Sequence, residues 1–181
     1  MSKTREERAA LVAAHLFASM GVPIFVAPQA MTGGQWDPAG GTGGTGYWLP
    51  KGWQNTPPGN AGVNAWRPGL ALAMVMGVVV DGLDVDPRND GKKSAKSMRN
   101  MWPKSLARQS TPSGGFHDLI ATLGVASRDA IAPGVDFKGG KPDGTGRGFL
   151  FVAPTVKLSK TDGELRAYSW LHLTLFEEPT E

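Results

Sequence analysis

The sequence predicts an α+β domain built on a largely antiparallel sheet. Three observations predict it. Glycine and proline supply 25 and 14 of the 181 residues, far above their usual combined share of about 12%, and such frequent punctuation disfavours a helical bundle. Only the N-terminal segment and one basic segment carry helical periodicity. Most other apolar runs are short, rich in β-branched residues and bounded by turn formers. A chain of 181 residues fits one domain at about 150 residues per domain, so a single domain over 1–181 is expected. At this size roughly 70% of the unfolded surface is buried, enough for a core without metal or disulfide.

The first element is a helix. Thr4 and Glu7 have capping-box spacing, Leu11, Ala14, Leu16 and Phe17 supply an apolar side, Gly21 stops it and Pro23 follows. Val22 to Ala27 reads as a short buried strand. Pro28 to Asn64 holds GGTGGTG and Pro57-Pro58, yet aromatics recur at Trp36, Tyr47, Trp48 and Trp53, which predicts a long loop that docks at intervals. Leu70 to Asp86 is almost wholly apolar. Gly77, Gly82 and the run Val78 to Val80 favour two strands around a turn over one buried helix. The second strand would end at Asp84-Val85-Asp86, closed by Pro87.

Lys92 to Trp102 reads as a helix, with Ala95, Met98 and Met101/Trp102 on one face and bases on the other, ended by Pro103. Thr111 to Gly115 is a turn leading into a strand from Phe116 to Leu123. Val135 to Lys138 is a short extended piece, Gly139 to Gly148 a glycine-rich loop, and Phe149 to Ala153 a strand. Leu165 to Phe176 alternates and favours a further strand. No internal repeat is present.

Composition excludes several functions. With no cysteine, disulfides, thiolate zinc sites, thiol nucleophiles and iron–sulfur clusters are ruled out. No run of about 18 apolar residues marks a membrane span. Met1 to Ala14 mixes acids with bases and lacks the apolar core of a leader, so a cytoplasmic protein is expected. Six tryptophans and 40% hydrophobic residues argue against disorder. The net charge of +3 says little by itself. Its distribution says more: Lys92, Lys93, Lys96, Arg99, Lys104 and Arg108 lie between Gly91 and Ser110 with no acid among them.

Three clusters carry candidate chemistry. Asp84 and Asp86, at i and i+2, share one face of a strand. Side-by-side carboxylates repel, so a divalent cation is one reason to pair them, and an ordinary surface turn is the other. Ser113-Gly114-Gly115-x-His117 could present backbone N–H groups and an imidazole to phosphate oxygens, or be a tight turn with a solvated histidine. Asp136 lies between Val135 and Phe137, with Lys138 on its face as either an ion-pair partner or a phosphate contact. The basic helix is a solvated face or, beside a carboxylate site, a track for nucleic acid or triphosphate.

Other patterns fail. Gly41-x-Gly43-x-x-Gly46 follows no strand and opens no helix. Gly91-Lys92-Lys93-Ser94 lacks the first glycine of a P-loop, Asp86 standing there. An EF-hand register starting at Asp84 or Asp86 puts Ala95 or Ser97 where its glutamate belongs. Ser113, His117 and Asp136 lack a nucleophile elbow. His15 and His172 have no ligand-spaced partners and read as structural.

In order, LDVDP (83–87), TPSGGFH (111–117), GVDFKG (134–139) and FLFVAP (149–154) resemble the bifunctional primase/polymerase (prim-pol) domain of the archaeal–eukaryotic primase superfamily. Lys51-Gly52-Trp53 and LALAMVMG fall where that family has similar stretches, and the resemblance spans about residues 5 to 156. It implies an RRM-like antiparallel catalytic sheet flanked by helices, with an N-terminal α/β subdomain. It implies template-directed nucleotidyl transfer from dNTP or NTP on single-stranded DNA, using two Mg²⁺ or Mn²⁺ ions, in phage, plasmid or bacterial replication, often with a fused or associated helicase. By the resemblance, Asp84, Asp86 and Asp136 would be catalytic metal ligands. Ser113, Gly114, Gly115, His117 and Lys138 would bind the nucleotide, and Lys92, Lys93, Lys96 and Arg99 are candidate nucleic-acid contacts.

The chain departs from the pattern in places. Lys138 stands where the family often has Arg; it keeps the charge but lacks the bidentate fork. The 139–148 loop is long, zinc elements are missing, and several relatives need a further helical domain to start primers. A chain excised from the N-terminal part of a longer replication protein would then extend primers without starting them. Two other functions stay open: an inactive single-stranded DNA- or nucleotide-binding module, and a metal-dependent transferase acting on a nucleotide-sugar.

Overall fold

A computed structural model describes residues 3–174. The elements run in the order α1 (Arg5–Ser19), β1 (Ile24–Pro28), β2 (Met31–Thr32), β3 (Gln35–Trp36), α2 (Ala61–Ala65), β4 (Leu70–Val75), β5 (Val80–Val85), α3 (Gly91–Ser97), β6 (Ala107–Ser110), β7 (Phe116–Ala121), β8 (Arg128–Ala132), β9 (Val135–Lys138), β10 (Phe149–Val152), β11 (Val156–Leu158), β12 (Leu165–Ala167) and β13 (Ser169–His172). It is an α+β protein with two main sheets, antiparallel throughout. One has six strands in the order β13-β6-β7-β5-β9-β8, the other three in the order β1-β4-β10. Among the described residues no helix is long and apolar enough to cross a membrane.

Helix α1 begins where its capping box predicts. Glu7 N–H donates to Thr4 Oγ1 at 3.1 Å, and Thr4 N–H donates to Glu7 Oε2 at 2.7 Å, a cap worth about 1 kcal/mol. Its buried face (Leu11, Ala14, Phe17, Ala18) joins Ile24, Leu72, Met74, Leu150 and Val152 of the smaller sheet. The same core takes in Val80, Ala107 and Leu119 of the larger one, so α1 and both sheets share one core. The reverse face of the smaller sheet, with Phe25, Ala73, Val75 and Phe151, is covered by Tyr47, Trp36, Leu49 and Trp53. The 28–64 segment is therefore anchored by its aromatics. It also contains the β2–β3 hairpin and the start of α2, which its glycines concealed.

The apolar run 70–86 does form two strands around a turn, but they do not pair with each other. β4 enters the smaller sheet and β5 the larger. Gly77 makes the switch: its φ is +84°, and a Cβ there would lie 2.2 Å from the Gly140 nitrogen. Three sequence expectations need correction. The basic helix stops at Ser97 instead of Trp102, because Trp102 turns inward so that its indole N–H donates to Asp118 Oδ2 at 2.8 Å. β7 ends at Ala121, not Leu123, where the Leu123 N–H caps the buried Asp81 carboxylate at 2.6 Å. The strand expected over Leu165 to Phe176 breaks into β12 and β13 around the buried Tyr168. Its last two residues lie outside the described range.

Candidate functional site

Sheet register assembles the site. Asp84 on β5 stands opposite His117 of β7 on one side and Asp136 of β9 on the other. His117 in turn stands opposite Gln109 of β6. Directly opposed residues share a face, so Gln109, His117, Asp84 and Asp136 form a row across four strands. The alternate residues Leu83, Val85, Val135 and Phe137 point the other way, into a cluster closed by Ala95 and Trp102.

Two members of the row, Asp84 and His117, line a cavity together with Asp86, Arg88, Thr111, Ser113, Lys157, Lys160 and Tyr168. His117 is buried, with Nε2 3.2 Å from Asp84 Oδ1 and its ring 5.3 Å from that of Tyr168. Burial works against the charge of Asp84, but His117, Lys138 and Lys157 outweigh it and hold its carboxyl below the usual range. Asp86 is held low chiefly by hydrogen bonds from Arg88, whose backbone N–H reaches Asp86 Oδ1 at 2.9 Å and whose guanidinium pairs with the same carboxylate.

Asp136 adjoins Asp84 in register but does not line this cavity. Its Oδ1 accepts from the Ala130 N–H at 2.8 Å and its Oδ2 from Lys138 Nζ at 3.2 Å. Lys138 also reaches Asp129 at 2.7 Å. Burial opposes the Lys138 charge, yet Asp129 and Asp136 raise its pKa above the ordinary lysine value. Ser113 lines the cavity and ties the 111–115 turn to the next segment, its Oγ accepting from the Lys160 N–H at 2.9 Å. The glycines act through the turn itself: Gly114 N–H donates to Thr111 O at 2.9 Å, and Gly115 N–H to Thr111 Oγ1 at 3.1 Å. A Cβ on Gly115 would lie 2.0 Å from the Val85 carbonyl oxygen. These glycines thus let the turn lie against the end of β5, and both N–H groups are spent inside the turn instead of facing the cavity.

Sequence reasoning missed Gln109, Lys157, Lys160 and Tyr168. Lys157, on β11, lies 5.2 Å over the Phe151 ring. Burial pushes its ammonium down to about 8, Lys160 acts in the same direction, and Asp84 opposes them. A second groove shares Asp84, His117, Lys157 and Tyr168 and continues to Trp53, Lys138, Arg147 and Phe149. Beside the shared Asp84 and His117, this groove is lined by aromatics and cations, which suits a phosphorylated, partly aromatic ligand.

The basic helix lies elsewhere. Ala95 of α3 packs on the face of the large sheet opposite the Asp84 row. Lys92, Lys96 and Arg99 border a separate cleft with Trp102, Arg108 and Phe116, and Lys93 is exposed nearby. His15 Nδ1 pairs with Asn60 Oδ1 at 2.9 Å and His172 Nδ1 with Thr174 Oγ1 at 3.1 Å. Neither lines the cavity.

Among the described residues no three His, Asp or Glu side chains gather into a metal cage. Hard-oxygen chemistry still fits at Asp84 and Asp86, which line one cavity. Mg²⁺ is commonly held by one or two carboxylates, with substrate phosphates and water completing the shell. A scan against protein-family models finds no match to this chain, and a search of curated proteins finds none either.

Proposed function

We propose that this chain is a prim-pol-type nucleotidyltransferase that extends, and where its full protein allows initiates, DNA strands from dNTP or NTP on a single-stranded template. The observation that carries the reading is the convergence of Asp84, Asp86, Ser113 and His117 on one cavity, although they come from two segments about thirty residues apart. Asp84 and Asp86 would hold the cation; Asp136, opposite Asp84 in register but outside the cavity lining, would join them as the third acid only by exchanging its Lys138 partner for the metal. The bound metal would lower the pKa of the attacking hydroxyl and offset charge on the leaving pyrophosphate. The chain's own residues have distinct tasks. His117 Nε2, Lys157, Lys160 and Arg88 surround the space where phosphate oxygens would lie. Tyr168 and the aromatics of the adjoining groove exclude water and offer flat surfaces for a base.

The inactive binding-module reading has one observation in its favour: Asp86 and Asp136 already have the cationic partners Arg88 and Lys138. Metal-dependent nucleotide binding separates the readings. On the transferase reading, dNTP with Mg²⁺ or Mn²⁺ raises the melting temperature, EDTA removes the gain, and nucleotide-sugars give less. Equal stabilisation with EDTA present favours the binding module, and greater stabilisation by nucleotide-sugars overturns the proposal.

Two further outcomes follow from the charges. Lys157 carries its charge below a pKa of about 8, so triphosphate affinity should fall as pH rises through that value. Lys157→Met should weaken binding at neutral pH and flatten this step. An unchanged pH profile in Lys157→Met removes Lys157 from the site. On the far face, Lys92→Glu with Lys96→Glu and Arg99→Glu should weaken single-stranded DNA binding. The salt slope should shrink by about 0.7 for each phosphate that is no longer neutralised, with nucleotide affinity unchanged because none of the three residues lines the cavity. An unaltered DNA salt slope would leave α3 a solvated face.

A further inference from the structure

The Gln109 amide can be oriented in only one way. Its Oε1 accepts from the Ala153 N–H at 3.1 Å, and its Nε2 donates to the Phe151 carbonyl at 2.7 Å. Exchanging the two ends would set N–H against N–H and carbonyl against carbonyl. The amide has two N–H bonds, and the second meets His117 Nδ1 at 2.8 Å. A donor requires an acceptor, so Nδ1 carries the lone pair and the proton of the neutral imidazole sits on Nε2. Nε2 is the atom that faces Asp84 Oδ1 at 3.2 Å.

We propose that Gln109 is a positioning residue that locks His117 in its Nε2–H form, so that the cavity always meets an N–H donor at this point. The opposite tautomer would aim a lone pair at the Asp84 carboxylate, and at any phosphate oxygen entering the cavity, and would repel both. Gln109 is fully buried and His117 is 3% exposed, so water does not compete for these bonds and each is strong. Gln109 and His117 belong to the six-stranded sheet, whereas Phe151 lies on β10 of the three-stranded sheet and Ala153 follows it. The aim of the donor is thereby tied to how the two sheets dock. The role of that donor towards a phosphate rests on the nucleotidyl-transfer reading; the tautomer does not.

The test is an imidazole proton–nitrogen correlation spectrum of the ¹⁵N-labelled full chain, with His15→Gln and His172→Gln identifying the His117 signals. The expected neutral-form spectrum shows an unprotonated Nδ1 and a protonated Nε2. A wild-type spectrum with protonated Nδ1, or with the two forms exchanging, overturns the proposal, and this needs no variant of Gln109 to fold. Gln109→Glu keeps the shape but replaces the N–H donor with an acceptor, so Nδ1 should gain a proton. A folded Gln109→Glu chain whose introduced carboxyl is ionised by its ¹³C shift and that still keeps the wild-type pattern also overturns it. With Mg²⁺ and dATP as the probe, Gln109→Glu should bind about tenfold more weakly, the scale of one hydrogen bond to a charged group. If wild type shows the expected tautomer but binds no dATP, the nucleotidyl-transfer reading fails and the role of Gln109 stands.

Discussion

Replacing Asp84 and Asp86 together by asparagine should abolish nucleotide incorporation and leave the fold intact. Asparagine keeps the shape and one oxygen but removes the charge that would hold a divalent cation. Loss of a group that stabilises transition-state charge costs at least about 10²- to 10³-fold in turnover, and here two are lost. The fold should survive for local reasons. In Asp84→Asn the side-chain amide oxygen would still accept from His117 Nε2, which lies 3.2 Å from the present carboxylate. The Asp86–Arg88 pair is partly exposed, with side chains 29% and 37% accessible, and such pairs contribute at most about 1 kcal/mol. Thermal melts should therefore shift by only a few degrees, at roughly 2–4 °C per kcal/mol for this size. Extension at the wild-type rate by the folded double variant would remove these residues from catalysis.

The largest effect on stability is expected at Asp118→Ala. The Asp118 side chain is fully buried and accepts four hydrogen bonds. They come from Trp102 Nε1 at 2.8 Å, Ser105 Oγ at 2.9 Å, and Arg108 Nε and Nη2 at 2.7 and 2.6 Å. Together they pin the 98–106 segment against β6 and β7. Alanine would strand the indole N–H and leave the guanidinium without its carboxylate, while the Ser105 hydroxyl would keep the Ala107 carbonyl oxygen as acceptor at 3.1 Å; breaking one side of such a pair costs about 3–5 kcal/mol. Arg108 remains a third exposed and stacks 4.2 Å from Phe116, so the lower end applies, a fall of about 10 °C in melting temperature. A fall of under about 3 °C would show that the network contributes no more than a surface pair. Because Asp118 faces away from the Asp84 row, triphosphate binding by the folded fraction should be unchanged.

What the sequence made legible had a strong local signature. The capping box at Thr4, the glycine-split apolar run 70–86 and the turn at 111–115 each needed only neighbouring residues to be read. The i, i+2 spacing likewise placed Asp84 and Asp86 on one face. Gln109 and Lys157 were invisible for the converse reason. They lie on β6 and β11, four and three residues long, too short to show a period. Gln109 reads as an ordinary polar residue in a basic stretch, and its burial follows only from the register that sets it beside His117 and under β10. Lys157 reads as a solvated base until the fold brings it over Phe151 and beside Asp84. The Asp118 network escaped notice similarly, since its Arg108 partner is matched by strand register alone. The basic helix was legible as a charged face, but which face of the sheet it covers was not. That depended on Ala95 packing opposite the carboxylates.

The most direct test of nucleotidyl transfer is incorporation of labelled dNTP or NTP on a single-stranded template, with and without an annealed primer, in Mg²⁺ or Mn²⁺. The predicted result is primer extension by the wild-type chain that stops with EDTA, and products in the unprimed lanes would add initiation. Folded wild-type protein that binds single-stranded DNA but yields no product with either metal and either nucleotide set would contradict transferase activity in this chain.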